Sequence, residues 1–487
     1  MSAPAGPNGR GLLDRAAFFG RLRRWAAERP AVAAVIAADG TALSYRGLAA
    51  AVAATAAHLR GEGVRPGERV AIPTDNGVAS IVTILATAAV GAVPLLFDAG
   101  ATEQERAQLM RLAETRTCVQ PLVAPEPAAW PEPAAPPVSD ELALVTSGTN
   151  GLPKVVGKHW AAVVDNSIRF AQVARYTGDD RVLCTTPLHH AFAFGVVLVP
   201  TLFTGATIVL APHPPLPSAL GSLLAETRAT VMQSVPFLYA AALEGMPSHR
   251  LPDLRLCVSA GEPLPAAVKA AWREATGASL HDQYGATELG QIAFAAPGSL
   301  DDTCRLVPGV RARTRLDGEW STAEGELFVR VPGPPSRYLG QPGLTEQSYL
   351  DGWFRTGDWG TVDGSGRVVV TGRVSRRVVV GGRKVDPAEV ESLVRAMAGV
   401  RDCVVAVGDD AGYVAFVVAE ASVTELGLRR HLAALLSSYK IPRRLHLVAE
   451  LPRTRTGKIR MGPLWQTLTD RGAASSPPAS ASEERAR

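Results

Sequence analysis

The 487 residues carry 50 Lys and Arg against 46 Asp and Glu, a formal net charge of +4, and 47 % of them are hydrophobic. Such a chain buries large cores in two or three domains, which excludes a disordered protein. A surplus this small, with no basic block, argues against nucleic acid as the main partner.

Five cysteines (Cys118, Cys184, Cys257, Cys304 and Cys403) stand far apart with no pair at metal-ligand spacing. Free thiols in a reducing cytoplasm are expected. The opening "MSAPAGPNGR" has no apolar run behind a basic one, so a signal peptide is not expected.

Along the chain, "GLAAAVAATAAHLRGEGV" (Gly47–Val64) predicts an amphipathic helix stopped by glycine, and "RVAIP" a strand. The apolar runs Ser80–Phe97 and Ala191–Ala211 are interrupted by Gly and Pro, so each predicts a buried helix followed by a strand, and no membrane span. "APEPAAWPEPAAPP" (Ala124–Pro137) reads as a surface connector. Then "ELALVTS", "RVLCTTP", "ATIVLAP", "ATVMQSVP" and "LRLCVSAG" alternate with helical stretches, as in α/β layers with buried parallel strands. From about Ser321 the runs "GELFVRVPG", "WFRTGDWGTVDGSGRVVVTGR" and "RRVVVGGRKV" turn at glycines, as antiparallel strands do. A helix follows with Asp386 as N-cap and Pro387 at its first position. The strands "DCVVAVGDD" and "GYVAFVVAE" and the helix "GLRRHLAALLSSYK" complete a small α+β unit. The expected domains are 12–372 and 376–466, with an unstructured tail over 472–487.

"TSGTNGLPK" (Thr146–Lys154) leaves the carboxyl end of the strand "ELALV", where ligand crevices of α/β sheets lie. Gly148 and Gly151 allow backbone N–H groups to turn inward as an anion nest. Thr146, Ser147 and Thr149 add hydroxyls, Asn150 an amide, and Lys154 a charge. The pattern differs from GxxxxGK[ST], and "VVG" after the lysine predicts a second strand. On composition alone, a phosphate site and a plain turn weigh equally.

The loop resembles the phosphate-binding signature of the adenylate-forming superfamily of acyl- and aryl-CoA synthetases, luciferases and adenylation domains. Further stretches follow in that family's order: "PLHHAFAFG" (Pro187–Gly195), "SAGEPL" (Ser259–Leu264), "HDQYGATELG" (His281–Gly290), "GELFVRVPGP" (Gly325–Pro334), "GWFRTGDWG" (Gly352–Gly360), "GR" (Gly372–Arg373) and "LPRTRTGKIR" (Leu451–Arg460). The resemblance implies an α/β fold: a large N-terminal domain of layered parallel sheets plus a distorted β-barrel, with a small mobile α+β C-terminal domain. It also implies the chemistry. A carboxylic acid reacts with ATP to give an acyl-adenylate and pyrophosphate, and a thiol then displaces AMP.

Residue by residue, the resemblance puts the nucleotide loop at Thr146, Ser147, Gly148, Thr149, Asn150 and Gly151, with Lys154 at the β- and γ-phosphates. Glu288 and Thr149 fall at the Mg²⁺ site, and hard oxygen ligands suit that ion. Thr287 reaches the α-phosphate. Tyr284 stacks on adenine beside Gly261, Glu262 and Gly285. Asp358 accepts the ribose hydroxyls, and Arg373 reaches the same ribose. Lys458, in the small domain, touches the carboxylate and α-phosphate, which requires that domain to close and later rotate about Ser375. His190 and Phe192 form the gate and wall of the acid pocket, with Ser234 and Gly285 lining it. Each has a plainer reading. Glu288 would be a solvated glutamate at a helix start, Asp358 a turn residue after Gly357, Arg373 a surface arginine, and the His pair structural.

Asn150, Val155, Ser375 and Val379 depart from the usual pattern. Ser375 stands where the hinge is commonly Asp or Lys. "ATVMQSVPFLYAAAL" offers no Asp for a substrate amine, and a buried ammonium without a partner is costly. An acyl, aryl or polycyclic acid is therefore expected. CoA is the expected acceptor, because no carrier domain follows the lysine loop. The alternatives are a stand-alone enzyme loading a carrier protein's phosphopantetheine, and an adenylation-impaired relative. Homodimerisation is left open.

Overall fold

The computed structural model describes residues 12–124, 130, 141–147, 153–244, 251–298, 303–374, 378–380, 383–385, 387–407, 413–436, 438–453, 459–461 and 463–464. The predicted connector, apart from Ala124 and Trp130, lies outside this range, as do Asp386 and the tail. Two compact units result: one runs to Thr356 and takes in Gly360–Val369, and the other comprises Gly357–Trp359 and the chain from Val370 onward.

The larger unit is layered. Its first sheet contains β1 (Ala33–Ala37), β2 (Ala42–Ser44), β8 (Arg181–Cys184), β9 (Thr207–Leu210), β10 (Val231–Ser234), β11 (Leu256–Ala260), β12 (Leu280–Ala286), β13 (Gly290–Phe294) and β14 (Arg305–Leu306). The order is β14-β13-β12-β11-β10-β8-β9-β1-β2. Its centre, β12 through β1, is parallel, and the hydrogen-bonded edges β13–β14 and β2 are antiparallel. The second sheet contains β3 (Arg69–Thr74), β4 (Val93–Asp98), β5 (Thr117–Cys118), β6 (Glu141–Ser147), β7 (Pro153–His159) and β18 (Arg337–Tyr338), in the order β18-β7-β6-β4-β3-β5.

One apolar core joins the facing sides of these sheets through the helices Arg15–Glu28, Tyr45–Gly61, Val78–Val90 and Trp160–Val173. A second core lies on the far side of the first sheet, among Leu224, Tyr239 and Trp272. A third lies on the far side of the second sheet, around Leu109 and Leu339. Strands covered on both faces are apolar throughout, which is why they read as continuous hydrophobic runs.

Local signals set the boundaries. Gly91, at φ +90, ends the buried helix Val78–Val90, and Thr102 with Glu105 closes a capping box on Glu103–Leu112. Where one buried helix was expected after Ala191, the chain forms a π-helix over Ala193–Leu198 and then an α-helix over Val199–Thr204. Pro200 has no N–H to offer the Val196 carbonyl, and the Tyr176 hydroxyl donates to that carbonyl instead at 3.1 Å.

A third sheet carries β15 (Arg311–Leu316), β16 (Glu319–Ser321), β17 (Gly325–Arg330), β19 (Tyr349–Leu350), β20 (Trp353–Val362) and β21 (Val368–Arg373). β15 pairs antiparallel with β16 and β17, as does β19 with β20. The smaller unit packs β22 (Val378–Val380) with β23 (Arg383–Val385), and β24 (Val400–Val407), β25 (Tyr413–Ala419) and β26 (Arg444–Leu447). Helices Pro387–Arg395 and Glu425–Leu435 cover its core of Val390, Val394, Cys403, Val417, Leu428 and Leu432. The second helix stops at Leu435, short of the predicted Lys440, where a 3-10 turn stands instead. All five cysteines are free thiols. Burial pushes Cys184 and Cys257 up to about 12, which makes them poor nucleophiles.

Candidate active site

β6 and β7 form an antiparallel hairpin in which Thr146 faces Lys154 and Ser147 faces Pro153. The predicted loop therefore leaves one strand and re-enters the next. Gly148, Thr149, Asn150 and Gly151 themselves lie outside the described residues, as do Ser375 and Lys458.

The parallel strands of the first sheet end side by side. Ser234 pairs with Ser259, and Ala260 with Gln283, so Gly261 and Tyr284 sit at adjoining carboxyl ends. Gly261 has φ +97, a conformation that other residues adopt at a cost, and the space where a Cβ would stand is open. Tyr284 is partly buried against the Leu289–Ile292 core. Glu262 is partly exposed and Gly285 exposed. A Cβ on Gly285 would lie 2.6 Å from the Gly290 carbonyl, so only glycine allows the two strands of this hairpin to approach.

Between β12 and β13 the chain turns through Thr287–Leu289. Glu288 thus occupies a hairpin turn; the plainer reading had it at a helix start. Its Oε1 accepts a hydrogen bond from Tyr338 Oη at 2.6 Å. The ring of Tyr338 lies under Lys154, whose Nζ is 5.3 Å from the centroid. Val155 packs into the outer core, so alternation turns Lys154, Val156 and Lys158 to the other face of β7. Tyr338, opposite Val156 on β18, shares that face.

Lys158 is only 5 % exposed and donates to the Thr287 carbonyl at 2.7 Å. Burial pulls its pKa down to about 8, while the charge of Glu288 pushes it up. Burial, then the Glu288 charge and hydrogen bond, raise the Tyr338 phenol far above its ordinary value, so it remains a donor. Asn166 completes the clasp: its Nδ2 donates to the Gln291 carbonyl at 2.8 Å, and its Oδ1 accepts from Gln291 N at 2.8 Å. The sequence reading missed Tyr338, Lys158 and Asn166.

The π-helix meets the same hairpin. A Cβ on Gly195 would stand 2.5 Å from Gln291 Nε2, which ties "PLHHAFAFG" to "YGATELG" through a close approach. The rings of His189 and His190 are tilted 39° to one another with centroids 4.6 Å apart. Burial, aided by His213, lowers His189 to about 4, so it is neutral and structural. His190 and Phe192 are half-buried. Ser234, expected with His190 in the acid pocket, is the last residue of β10. Val231 and Gln233 turn to the side of Cys184 and the π-helix, whereas Met232 and Ser234 turn to the second core. Ser234 Oγ there accepts from Thr185 at 2.8 Å.

In the smaller unit Asp358 is 5 % exposed, and Arg373 Nε lies 2.7 Å from its Oδ1. Asp358 stands within β20 after Gly357 at φ +72, so it is a strand residue, not a turn residue.

Among the described residues no three His, Cys, Asp or Glu side chains gather as a metal cage. The Glu288 carboxylate at the turn is a hard oxygen donor of the kind a divalent cation takes, and Thr149, the other expected ligand, lies outside the described residues.

The description "AMP-binding enzyme" matches residues 22–339, and "AMP-binding enzyme C-terminal domain" matches residues 389–458. The chain belongs to the AMP-binding enzyme family. Among members, a feruloyl-CoA synthase of Amycolatopsis sp. is 32 % identical over 468 residues, covering 87 % of this chain and 93 % of that protein. ATP-bound MatB from Rhodopseudomonas palustris superposes with a TM-score of 0.85 at 27 % identity, over 94 % of this chain and 99 % of that one. An anthranilate CoA ligase, AuaEII, in complex with anthranoyl-AMP gives 0.83 at 25 % identity, over 94 % and 98 %. No helix among the described residues is long and apolar enough to cross a membrane.

Proposed function

We propose that the chain is an AMP-forming acid–CoA ligase acting on an aryl or aryl-alkenyl carboxylic acid. The observation that carries this is the charged clasp at the hairpin turn: Lys154 and Lys158 on one strand face, with Glu288 held between them by Tyr338. In the first step a carboxylate oxygen attacks the α-phosphorus and pyrophosphate leaves. Two anions meet, so fixed cations must stabilise the departing charge. Lys154 serves the β- and γ-phosphates beside the glycine loop, and Thr287 the α-phosphate. Glu288 and Thr149 would hold Mg²⁺, which would screen the phosphate oxygens. Tyr284, Gly261, Glu262 and Gly285 receive the adenine, and Asp358 and Arg373 the ribose. Lys458 bridges the carboxylate and α-phosphate. In the second step the CoA thiol attacks the acyl carbonyl, loses its proton, and AMP leaves.

The acid class follows from the pocket side. His190 and Phe192 are half-buried beside an apolar π-helix, and no carboxylate stands on β10 to meet an amine. The relatives named for ferulate and anthranilate support an aryl acid. The domains 12–372 and 376–466 are read as the two bodies that move about Ser375 between the steps.

The test is a panel of benzoic, cinnamic and aliphatic acids with ATP and Mg²⁺, offered CoA or a holo carrier protein, with pyrophosphate and product mass followed. Aryl-CoA is the expected product. Loaded carrier with no acyl-CoA from any acid reverses the acceptor. In the same assay Lys458→Ala is expected to lose pyrophosphate release yet still form thioester from a supplied acyl-adenylate.

A further inference from the structure

The role of Lys158 remains to be explained. Burying an ammonium is costly unless it is paired. It lies 5 % exposed on β7 between Gly157 and His159, opposite Leu142, and its hydrogen bond goes to a single neutral carbonyl, that of Thr287 at 2.7 Å. The charge acting on it belongs to Glu288, the next residue in the turn. Glu288 is itself fixed by Tyr338 at 2.6 Å, and Asn166 closes both backbone bonds of Gln291 at 2.8 Å each. A carboxylate is thus set at the carboxyl ends of the strands with a sealed cation behind it. Lys154, four residues earlier on the same strand face, is half-buried.

We infer that Lys158 is a positioning residue and the standing counter-charge of Glu288. It holds the turn by the Thr287 carbonyl and cancels the carboxylate's charge, so that an acidic turn admits a polyanionic nucleotide. The inference rests on the reading that nucleotide binds at this turn. Without the cation, Glu288 and the triphosphate repel each other until a divalent ion arrives.

ATP binding by calorimetry, with and without Mg²⁺, tests this without turnover. Lys158→Met keeps an apolar stem of similar length at a buried position, so its melting temperature is expected to stay at or above that of the wild type. Its affinity for Mg²⁺-free ATP is expected to fall about tenfold. Adding Glu288→Gln to Lys158→Met restores that affinity, because no uncompensated carboxylate then remains. Unchanged Mg²⁺-free affinity in Lys158→Met overturns the inference. So does a double variant without recovery, or a lowered melting temperature with equal losses in both ATP series, which marks a merely structural lysine. A wild-type chain that binds ATP but releases no pyrophosphate with any acid defeats the ligase reading alone. One that binds no ATP defeats both.

Discussion

Replacing Tyr338 by Phe isolates one atom of the candidate site. The ring stays, so Lys154 keeps the surface 5.3 Å below its ammonium, and only the hydroxyl that donates to Glu288 Oε1 at 2.6 Å is lost. A hydrogen bond to a charged group contributes about 1.5–3 kcal/mol. Glu288 is partly exposed, so water takes up part of the vacated position and the lower end applies. At 1.36 kcal/mol per decade, that is about a tenfold loss. On the proposed reading the loss belongs to the nucleotide step, because Tyr338 touches the residue assigned to the metal and phosphates and none assigned to the acid pocket. Pyrophosphate release, measured with ATP varied at saturating acid and then the reverse, should show kcat/KM for MgATP down about tenfold and KM for the acid unchanged. Tyr338→Leu also removes the ring and should lose a further factor of about three, from roughly 0.5–1 kcal/mol of cation–π contact. A Phe variant as active as the wild type, or one altered in its KM for acid alone, refutes the chain of reasoning from the clasp to catalysis.

Three further outcomes are expected. His189 is neutral in the fold, with its pKa lowered from 6.5 to about 4 chiefly by burial, so its stabilising contribution is complete above pH 6.5 and is lost as pH falls towards 4. Denaturant melts across that window should show about 3 kcal/mol of lost stability that His189→Gln lacks, and an identical slope in the variant refutes this. Arg255 grips Asp180, which is 3 % exposed, with Nε at 2.9 Å and Nη2 at 2.6 Å. Arg255→Ala leaves that carboxylate unpaired and should cost about 3 kcal/mol in equilibrium unfolding, while Arg255→Lys should lose less. Arg313 is wedged between Trp320 and Trp353, 4.0 and 3.8 Å from their centroids, so Arg313→Ala should lower stability by about 1–2 kcal/mol and shift tryptophan emission without affecting pyrophosphate release.

The layered part of the fold is legible in the chain because both of its signals are local. Runs such as "TIVL" and "LCVSA" are buried on each face, and glycines such as Gly91 mark where helices stop. The strand–loop–strand at Thr146–Lys154 was legible for the same reason: two paired strands flank a glycine-rich turn. Contacts made across the two sheets left no such sign. Tyr338 sits in a two-residue strand and reaches Glu288 fifty positions away, while Asn166 meets Gln291 at a separation of 125. Nothing in the spacing of "SRYLG" or "VVDNS" reports a partner that far along the chain.

The clasp explains why the site tolerates so much buried polarity. Lys158, Asn166 and Gln291 are each at most 5 % exposed, and each satisfies a backbone or side-chain partner on the other sheet or on the helix that follows β7. That helix starts at Trp160 directly after the strand, with His159 Nδ1 accepting from Ala161 N at 3.2 Å, so Lys154, Lys158 and Asn166 ride on one continuous rigid segment. A buried polar network of this kind fixes one arrangement where an apolar contact would permit sliding. The turn bearing Thr287 and Glu288 is therefore located by β7 and its helix as firmly as by its own strands. Any change that loosens Asn166 should disturb the phosphate side of the site before it disturbs the fold.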